Sequence, residues 1–592
     1  MREHANFVDL MAAHVSESPD RTALVFSPDP MAPEHDQAVS YEQLHANAGR
    51  IAALLVARCR VGDRVLLLHP TGPLFAESFF GTMYAGMVAV PAPTPEGSKR
   101  QQDRLAGIAR DAEVSAVLTD GSVAPAVADW ARASGMAPVP QLVTDQIDLP
   151  APDVRPSPVG RETVMFLQYT SGSTHDPKGV QVDHGNLMAN AAALLAFSDL
   201  GVGDTIGGWL PMYHDFGLIV QLLLPMFLGC RAALMSPSAF LRRPHSWLHL
   251  LHRHRVALSS APNFAYDLCA RRVTDEQVAG VDLTTWRYAV SGAEPVHART
   301  LRAFRDRFAM LGLRPQAITP GYGMAEATLM ISGNGCLAEP VVLPVDAAML
   351  ERHAVVPATP ATAEARELVS SGEVADGFEV RIVDPDSGTV LGPDRIGEIW
   401  VQGASVTRGY WKRPEQTTQT FNATTANGQS GFLRTGDLGV LRDGQLYVTG
   451  RIKEMLVVAG RNLYPYDIEV DARSTHPSLA KGASAVFGVD SGREEVVVVQ
   501  ESVTRSRDER TLHDTATAIR DLVGREHGVS ASVVLVRPGT VPRTTSGKIQ
   551  RGLARQMFLK GSLAAEYLLL TPALEAFLAD SHRARAGLAR VA

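Results

Sequence analysis

Five small residues in a row, Thr170, Ser171, Gly172, Ser173 and Thr174, stand within the string YTSGSTHDPKGV at residues 169–180. Gly172 lacks a Cβ and can take positive φ, so the backbone can curl closely around a ligand. The hydroxyls and N–H groups of such a loop donate to anionic oxygens. Lys178, just past Pro177, adds a mobile positive charge. The chemistry suggested is a phosphate cradle. It is not a Walker loop, which needs GxxxxGK[ST] opening a helix. The bland alternative is an ordinary Ser/Gly surface turn.

A second string, Gly321, Tyr322, Gly323, Met324, Ala325, Glu326, offers different groups. Two glycines allow close approach, the tyrosine gives a stacking face, and Glu326 is a hard oxygen ligand suited to Mg2+. Ser291, Gly292 and Ala293 follow a strand-like Tyr288, Ala289, Val290, and small residues there let a flat ring lie against the backbone. His214, in GWLPMYHD, is either a satisfied core or capping residue or a group beside the entry of a carboxylate substrate. Asp443-Gly444 reads as a two-residue hairpin turn. Residues whose numbers sum to 887 then face each other, so Asp437 and Arg451 emerge at one end of the hairpin. There the pair can bind ribose and phosphate oxygens, or form a surface salt bridge of little consequence. Lys548, on a Gly/Ser loop, is by default solvated.

Positioning these groups requires an alternating frame. Val164, Met165, Phe166 and Leu167 read as a buried strand, and Val180, Gln181 and Val182 as its return. The cradle is therefore the tip of a hairpin, and Asp183 caps the helix that follows. Residues 1–160 alternate helix-like and strand-like segments, such as 41–59 with 64–68 and 76–85 with 88–90. That pattern predicts a parallel sheet covered by helices. The apolar run 216–230 is too short to span a bilayer and reads as a buried helix. After residue 453 the pattern shifts to a compact α/β unit with strands near 485–487, 495–500 and 532–536 and a helix over 511–524.

A chain of 592 residues should hold at least two domains. With 45% hydrophobic and 20% charged residues it is composed like a soluble globular protein. A net charge of −7 argues against nucleic acid as the main partner. Cys59, Cys230, Cys269 and Cys336 are dispersed, with no CxxC, and read as buried reduced thiols of a cytoplasmic protein. The N-terminal MREHANFVDLMAAHVSESPD has no apolar core, so no signal peptide is expected.

The strings LQYTSGST, LPMYHDFGLI, SGAEPV, TPGYGMAEATLM, VVAGRNLYPYDIE and PRTTSGKI occur in this order along nearly the whole chain. Together they resemble the adenylate-forming superfamily of acyl-CoA synthetases, peptide-synthetase adenylation domains and luciferases. Within it the chain looks most like the fatty acyl-AMP ligases. The resemblance implies an α/β fold: a large N-terminal domain of stacked sheets with helices plus a small β-barrel-like subdomain, over 1–452, and a smaller mobile α+β domain over 453–592. It implies a family-specific insertion near 333–370, which is Pro/Ala-rich here and hinders the rearrangement needed for coenzyme A transfer; a lengthened surface loop is the alternative.

By the same resemblance, ATP and Mg2+ are the cofactors. Residues 170–174 and Lys178 bind polyphosphate, Ser291 to Ala293 and Gly321 to Ala325 border adenine, and Asp437 and Arg451 hold the ribose. Glu326 and Thr174 meet the metal, His214 flanks the acyl pocket, Lys453 lies at the hinge, and Lys548 is the catalytic lysine. The implied reaction converts a fatty acid to its acyl-adenylate and passes the acyl group to an acyl carrier protein of a separate polyketide or peptide synthase, with no stable membrane insertion. Two anions must meet in that reaction, and at about 4 Å like unit charges repel by about 1 kcal/mol in water and about 4 at an effective dielectric of about 20. Catalysis is therefore positioning and neutralisation, and no general base is needed because the acid is already ionised. A long-chain acyl-CoA synthetase is the rival. An amino-acid adenylation domain ranks lower, since Ala261, Pro262, Asn263 and Phe264 lack the acid that would hold an ammonium. A non-catalytic nucleotide-sensing module would lack Lys548 or Glu326.

Overall fold

In the computed structural model, residues 4–147, 156–169, 177–335, 338–362, 364–458, 461–491, 494–503, 508–544 and 547–579 are described. The chain forms two compact units. The first comprises Met1–Pro344, Glu367–Thr435 and Gly439–Val448, and the second Val345–Arg366, Gly436–Leu438 and Thr449–Ala592.

A six-stranded sheet in the first unit contains the strands Arg64–Leu68, Val88–Pro91, Val114–Thr119 and Gln141–Val143, all parallel, followed by Val164–Tyr169. The last of these is parallel to Val88–Pro91 and antiparallel to Gly179–Asp183. Val65, Leu67, Ala89 and Phe166 are fully buried, and Phe79 of the helix Pro73–Tyr84 packs its ring 5.8 Å from that of Phe166. Near-continuous apolar strands are what a sheet covered on both faces requires.

The first two strands, Thr22–Ser27 and Gln37–Ser40, leave this sheet for a larger one of 13 strands. Thr22–Ser27 pairs in parallel with Arg231–Met235. Local periodicity identifies such strands but carries no information about partners some 200 residues away. The larger sheet continues in parallel through Thr205–Gly208, Leu258–Ala261, Tyr288–Ser291 and Ile318–Gly323. It then turns antiparallel through Met330–Gly333 and Glu373–Val374.

The predicted buried helix at 216–230 forms with a widened middle. Asp215–Gly217 and Leu224–Leu228 are α-helical, and Leu218–Leu223 is a π-helical stretch in which Leu224 N donates to Ile219 O. Pro225 sits at the start of the last segment, where its missing N–H costs least. Gln221 is fully buried on this stretch, accepting from Leu210 N at 3.0 Å and donating to Ser260 O at 3.2 Å.

The second unit holds a four-stranded sheet of Ser484–Asp490, Glu494–Glu501, Ala531–Val536 and Ala565–Leu569, with the helices Pro465–Ser474 and Glu509–His527. Ile468, Val498, Ile519 and Val533 meet in its core. Among the described residues no helix is long and apolar enough to cross a membrane.

Candidate functional site

In open α/β sheets, ligands bind beyond the carboxyl ends of the parallel strands. Two of the singled-out segments, at residues 291–293 and 321–326, lie there. Tyr288–Ser291 ends at Ser291, in register with Ala261 on one side and Pro320 on the other. Ser291 Oγ is buried and has no partner among the described residues. Ala293 takes φ +65°, a conformation costly for a residue with a side chain. A Cβ on Gly292 would stand 3.0 Å from Gly321 O, so the two glycine-containing segments abut backbone to backbone. Glu294 ties this turn to the helix Asn263–Arg272, accepting from Phe264 N.

The strand Ile318–Gly323 runs into a short turn, Ala325–Ala327, that carries Glu326. The Glu326 carboxylate is buried, and Tyr410 donates its phenol to Oε1 at 2.8 Å. The backbone around it is pinned from two sides. Thr407 N donates to Glu326 O at 2.9 Å, and Thr328, at φ +69°, donates its hydroxyl to Ser405 O at 2.7 Å. Asn190 clasps Met330, donating to its carbonyl at 2.9 Å and accepting from its N–H at 3.1 Å. Asn190 belongs to the helix His184–Ala196, which Asp183 caps through a reciprocal bond with Asn186.

The hairpin pairs Tyr169 with Gly179 and Gln168 with Val180. Thr170, Ser171, Gly172, Ser173 and Thr174 at its tip lie outside the described residues. Lys178 is described, and its ammonium lies 5.0 Å from the centroid of the Tyr410 ring. The base is braced by Tyr169, which donates to Asp111 at 2.7 Å, and by Arg413, which pairs with the same carboxylate at 2.7 Å. Gln168 donates to Tyr213 O at 3.0 Å, which sets the His214 segment beside the hairpin. The half-buried His214 places Nδ1 2.6 Å from Asp215 Oδ1.

One side chain therefore joins Lys178 and Glu326, and nothing in the sequence singles it out. Tyr410 sits in the string GYWKRPEQTTQTF, where it reads as one more buried aromatic. Only the folded backbone reveals it: Gln181 N donates to Gly409 O at 3.0 Å and Trp411 N to Gly179 O at 2.8 Å, so residues 409–411 join the hairpin through one antiparallel bridge, Tyr410 to Val180. Burial, foremost, and the adjoining Glu326 carboxylate push the Tyr410 phenol well above its usual range, so it remains a donor at physiological pH.

The remaining residues belong to the second unit. Arg451 Nε donates to Asp437 Oδ1 at 2.9 Å, with the Arg451 side chain 62% exposed and that of Asp437 6%. The carboxylate is thus buried, unlike that of an ordinary surface pair. Thr449 donates to Leu438 O, a cross-strand neighbour whose number sums with it to 887. Lys453 is exposed, and the next residue, Glu454, pairs with Arg551 at 2.5 Å. Lys548 lies on a tight loop closed by pairing of Arg543 with Ile549. Its N–H donates to Thr544 Oγ1 at 3.0 Å, its carbonyl accepts from Thr544 N at 2.8 Å, and Gly547 turns the chain at φ +86°.

The chain matches the family model of AMP-binding enzymes over residues 11–411, and that of the Disco-interacting protein 2-like AMP domain over 453–567. It is 40% identical over 536 residues, 89% of this chain and 90% of the other, to the medium-chain-fatty-acid–acyl-carrier-protein ligase JamA of Moorena producens. It is 37% identical to a long-chain-fatty-acid–AMP ligase of Mycobacterium marinum over 564 residues, 92% and 95% of the two chains. The solved fatty acyl-adenylate ligase of L. pneumophila, in complex with acyl adenylate and pyrophosphate, superposes with a TM-score of 0.74 at 34% identity, covering 96% of this chain and 98% of that one.

Proposed function

Because the chain belongs to the AMP-binding enzyme family, we propose that it is a fatty acyl-AMP ligase: it uses ATP to convert a medium- or long-chain fatty acid to the acyl-adenylate, releases pyrophosphate, and passes the acyl group to the thiol of an acyl carrier protein. The observation that carries this reading is the placement of a buried carboxylate, Glu326, and an ammonium, Lys178, around Tyr410 at the carboxyl ends of parallel strands. The likeness to a carrier-protein ligase, over 89% of this chain and 90% of that one, supports the acyl and carrier parts.

The residues divide the work by charge. Lys178 and the 170–174 loop neutralise the polyphosphate, and the turn from Ser291 to Ala293 with the strand end at Gly321 to Gly323 forms a flat, side-chain-poor surface for adenine. Asp437, a buried carboxylate, accepts from ribose hydroxyls. Lys548 supplies the ammonium where the fatty acid carboxylate meets the α-phosphate, lowering the repulsion between two anions. His214 borders the acyl entry, and Lys453 marks the hinge near residue 452 that separates the nucleotide-binding part from the part carrying Lys548.

Among the described residues no three acidic, His or Cys side chains cluster as a complete metal cage. A single buried carboxylate fits Mg2+, which is usually held by one or two carboxylates together with substrate phosphates. Glu326 with Thr174 would hold it, and the ion would supply charge neutralisation on the leaving pyrophosphate.

The deciding experiment is mass spectrometry of products from ATP, Mg2+ and a panel of fatty acids, with and without coenzyme A and a phosphopantetheinylated carrier. Acyl-AMP followed by acyl-carrier is expected. Rapid acyl-CoA formation would instead identify a coenzyme A ligase.

A further inference from the structure

Tyr410 is held on its backbone and on its ring. Its N–H donates to Thr417 Oγ1 at 3.0 Å, its ring meets the edge of Phe421 at 5.3 Å, and it bridges to Val180 across the backbone. Gly409 before it, at φ +128°, could carry no side chain, because a Cβ would fall 2.2 Å from Thr417 Cγ2. So fixed, the ring presents a π-face to the Lys178 ammonium and a hydroxyl to the Glu326 carboxylate. A hydroxyl donating to a buried carboxylate restricts its rotation and orients its remaining lone pairs. A cation over the same ring is drawn toward its face by the quadrupole.

We infer that Tyr410 is a positioning residue of the adenylation site, holding the carboxylate that meets the metal–nucleotide and the ammonium of the phosphate hairpin at a fixed separation through a single side chain. The inference rests on the reading of Glu326 and Lys178 as groups that meet Mg·ATP. Tyr410 touches neither substrate nor reacting atoms in this scheme. Its two contacts act through different neighbours, so they can be separated: the hydroxyl serves the metal-dependent part of nucleotide binding, the ring the metal-independent part.

The test compares Tyr410→Phe, Tyr410→Leu, Glu326→Gln and the double variant Y410F/E326Q in the full chain. ATP affinity is measured by calorimetry with Mg2+ and with EDTA, alongside fatty-acid-dependent pyrophosphate exchange. Losing a hydrogen bond to a charged group should weaken Mg·ATP binding in Y410F by about tenfold while leaving ATP binding in EDTA within about twofold. Tyr410→Leu should weaken both. In the E326Q background, Y410F should add less than about twofold, since the two changes remove one interaction. Equal losses with and without Mg2+ in Y410F, or full additivity in the double variant, would reduce Tyr410 to a packing residue. An E326Q protein that binds Mg·ATP normally would overturn the reading of Glu326 and the inference with it. An impaired E326Q beside an unaffected Y410F would overturn the inference alone.

Discussion

Arg461 grips Glu351 with two nitrogens, Nε 2.7 Å from Oε2 and Nη2 2.8 Å from Oε1, across 110 residues of chain. The same arginine donates to His527 O at 2.8 Å, and its neighbour Asn462 donates to Glu351 O at 2.9 Å. These contacts fasten the segment Val345–Arg366 within the second unit, to which it belongs although it precedes most of that unit by about a hundred residues. Arg461 raises the stakes by geometry, since a two-pronged guanidinium–carboxylate pair is both stronger and more directional than a point contact. Arg461 is 40% exposed, so screening leaves the ion pair about 1 kcal/mol.

Arg461→Ala should therefore loosen the segment without unfolding the unit. Amide hydrogen exchange near Asp346 and Glu351 should quicken by about tenfold, while acyl-AMP formation persists. High salt should reproduce part of the effect in the unaltered chain. If exchange in 345–366 stays as slow in the variant, the arginine is not what holds the segment.

Gly323 tests the turn that carries Glu326. A Cβ there would stand 1.8 Å from Leu329 O, an acceptor already bonded to Met324 N at 2.8 Å. Backbone cannot yield as a side chain does, so Gly323→Ala should cost about 2 kcal/mol or more of stability and most of the pyrophosphate exchange. Gly321→Ala places its Cβ 3.4 Å from Ser332 O, an ordinary contact, and should leave the denaturation midpoint within experimental scatter. Comparable midpoints for the two variants would mean that the turn relaxes freely.

Lys548→Ala separates charge from scaffold. The bonds that shape its loop use the backbone N–H and carbonyl of residue 548 and survive in alanine. Melting behaviour should be unchanged, while acyl-AMP formation falls by about a hundredfold or more, as when a preorganised electrostatic donor is removed. Full adenylation by this variant would strip Lys548 of the proposed role.

How much of this was readable in advance follows from how local each signal is. The Asp443-Gly444 turn was legible because it needs positive φ at both central positions, and the two residues take +52° and +77°. The Asp183 cap was legible because its partner, Asn186, lies three residues on. The bond from Tyr410 to Glu326 spans 84 residues, and the pairing of residues 409–411 with the hairpin joins segments still further apart. Neither leaves a period or a local spacing. The same holds for Glu351, which reads as a solvated acid in a Pro/Ala-rich stretch until Arg461 is brought against it. The π-helical turn at Leu218–Leu223 is hidden for a different reason: it is buried all round, Gln221 included, so no solvent-facing stripe marks a change of helical pitch.

His184 sets a pH dependence with a definite sign. Its ring is buried, its Nδ1 accepts from Phe7 N at 3.3 Å, and desolvation lowers its pKa from 6.5 to about 4 against the weaker opposing pull of Asp183 and Asp9. The folded state therefore holds the neutral imidazole, whereas the unfolded chain takes up a proton below about 6.5. The stability tied to this group is fully present above that pH and drains away as pH falls toward about 4, reaching on the order of 3 kcal/mol. His14, His45, His245 and His254 are lowered in the same direction, each foremost by burial, so the slope of the unaltered protein sums several groups. The difference between that protein and His184→Gln isolates one of them. Glutamine offers Phe7 an acceptor and cannot titrate, so the stability gap between the two proteins, measured by urea denaturation, should shrink steadily between pH 6.5 and 4. A gap that stays constant across that range would show that the His184 imidazole is already as easily protonated in the fold as in the unfolded chain.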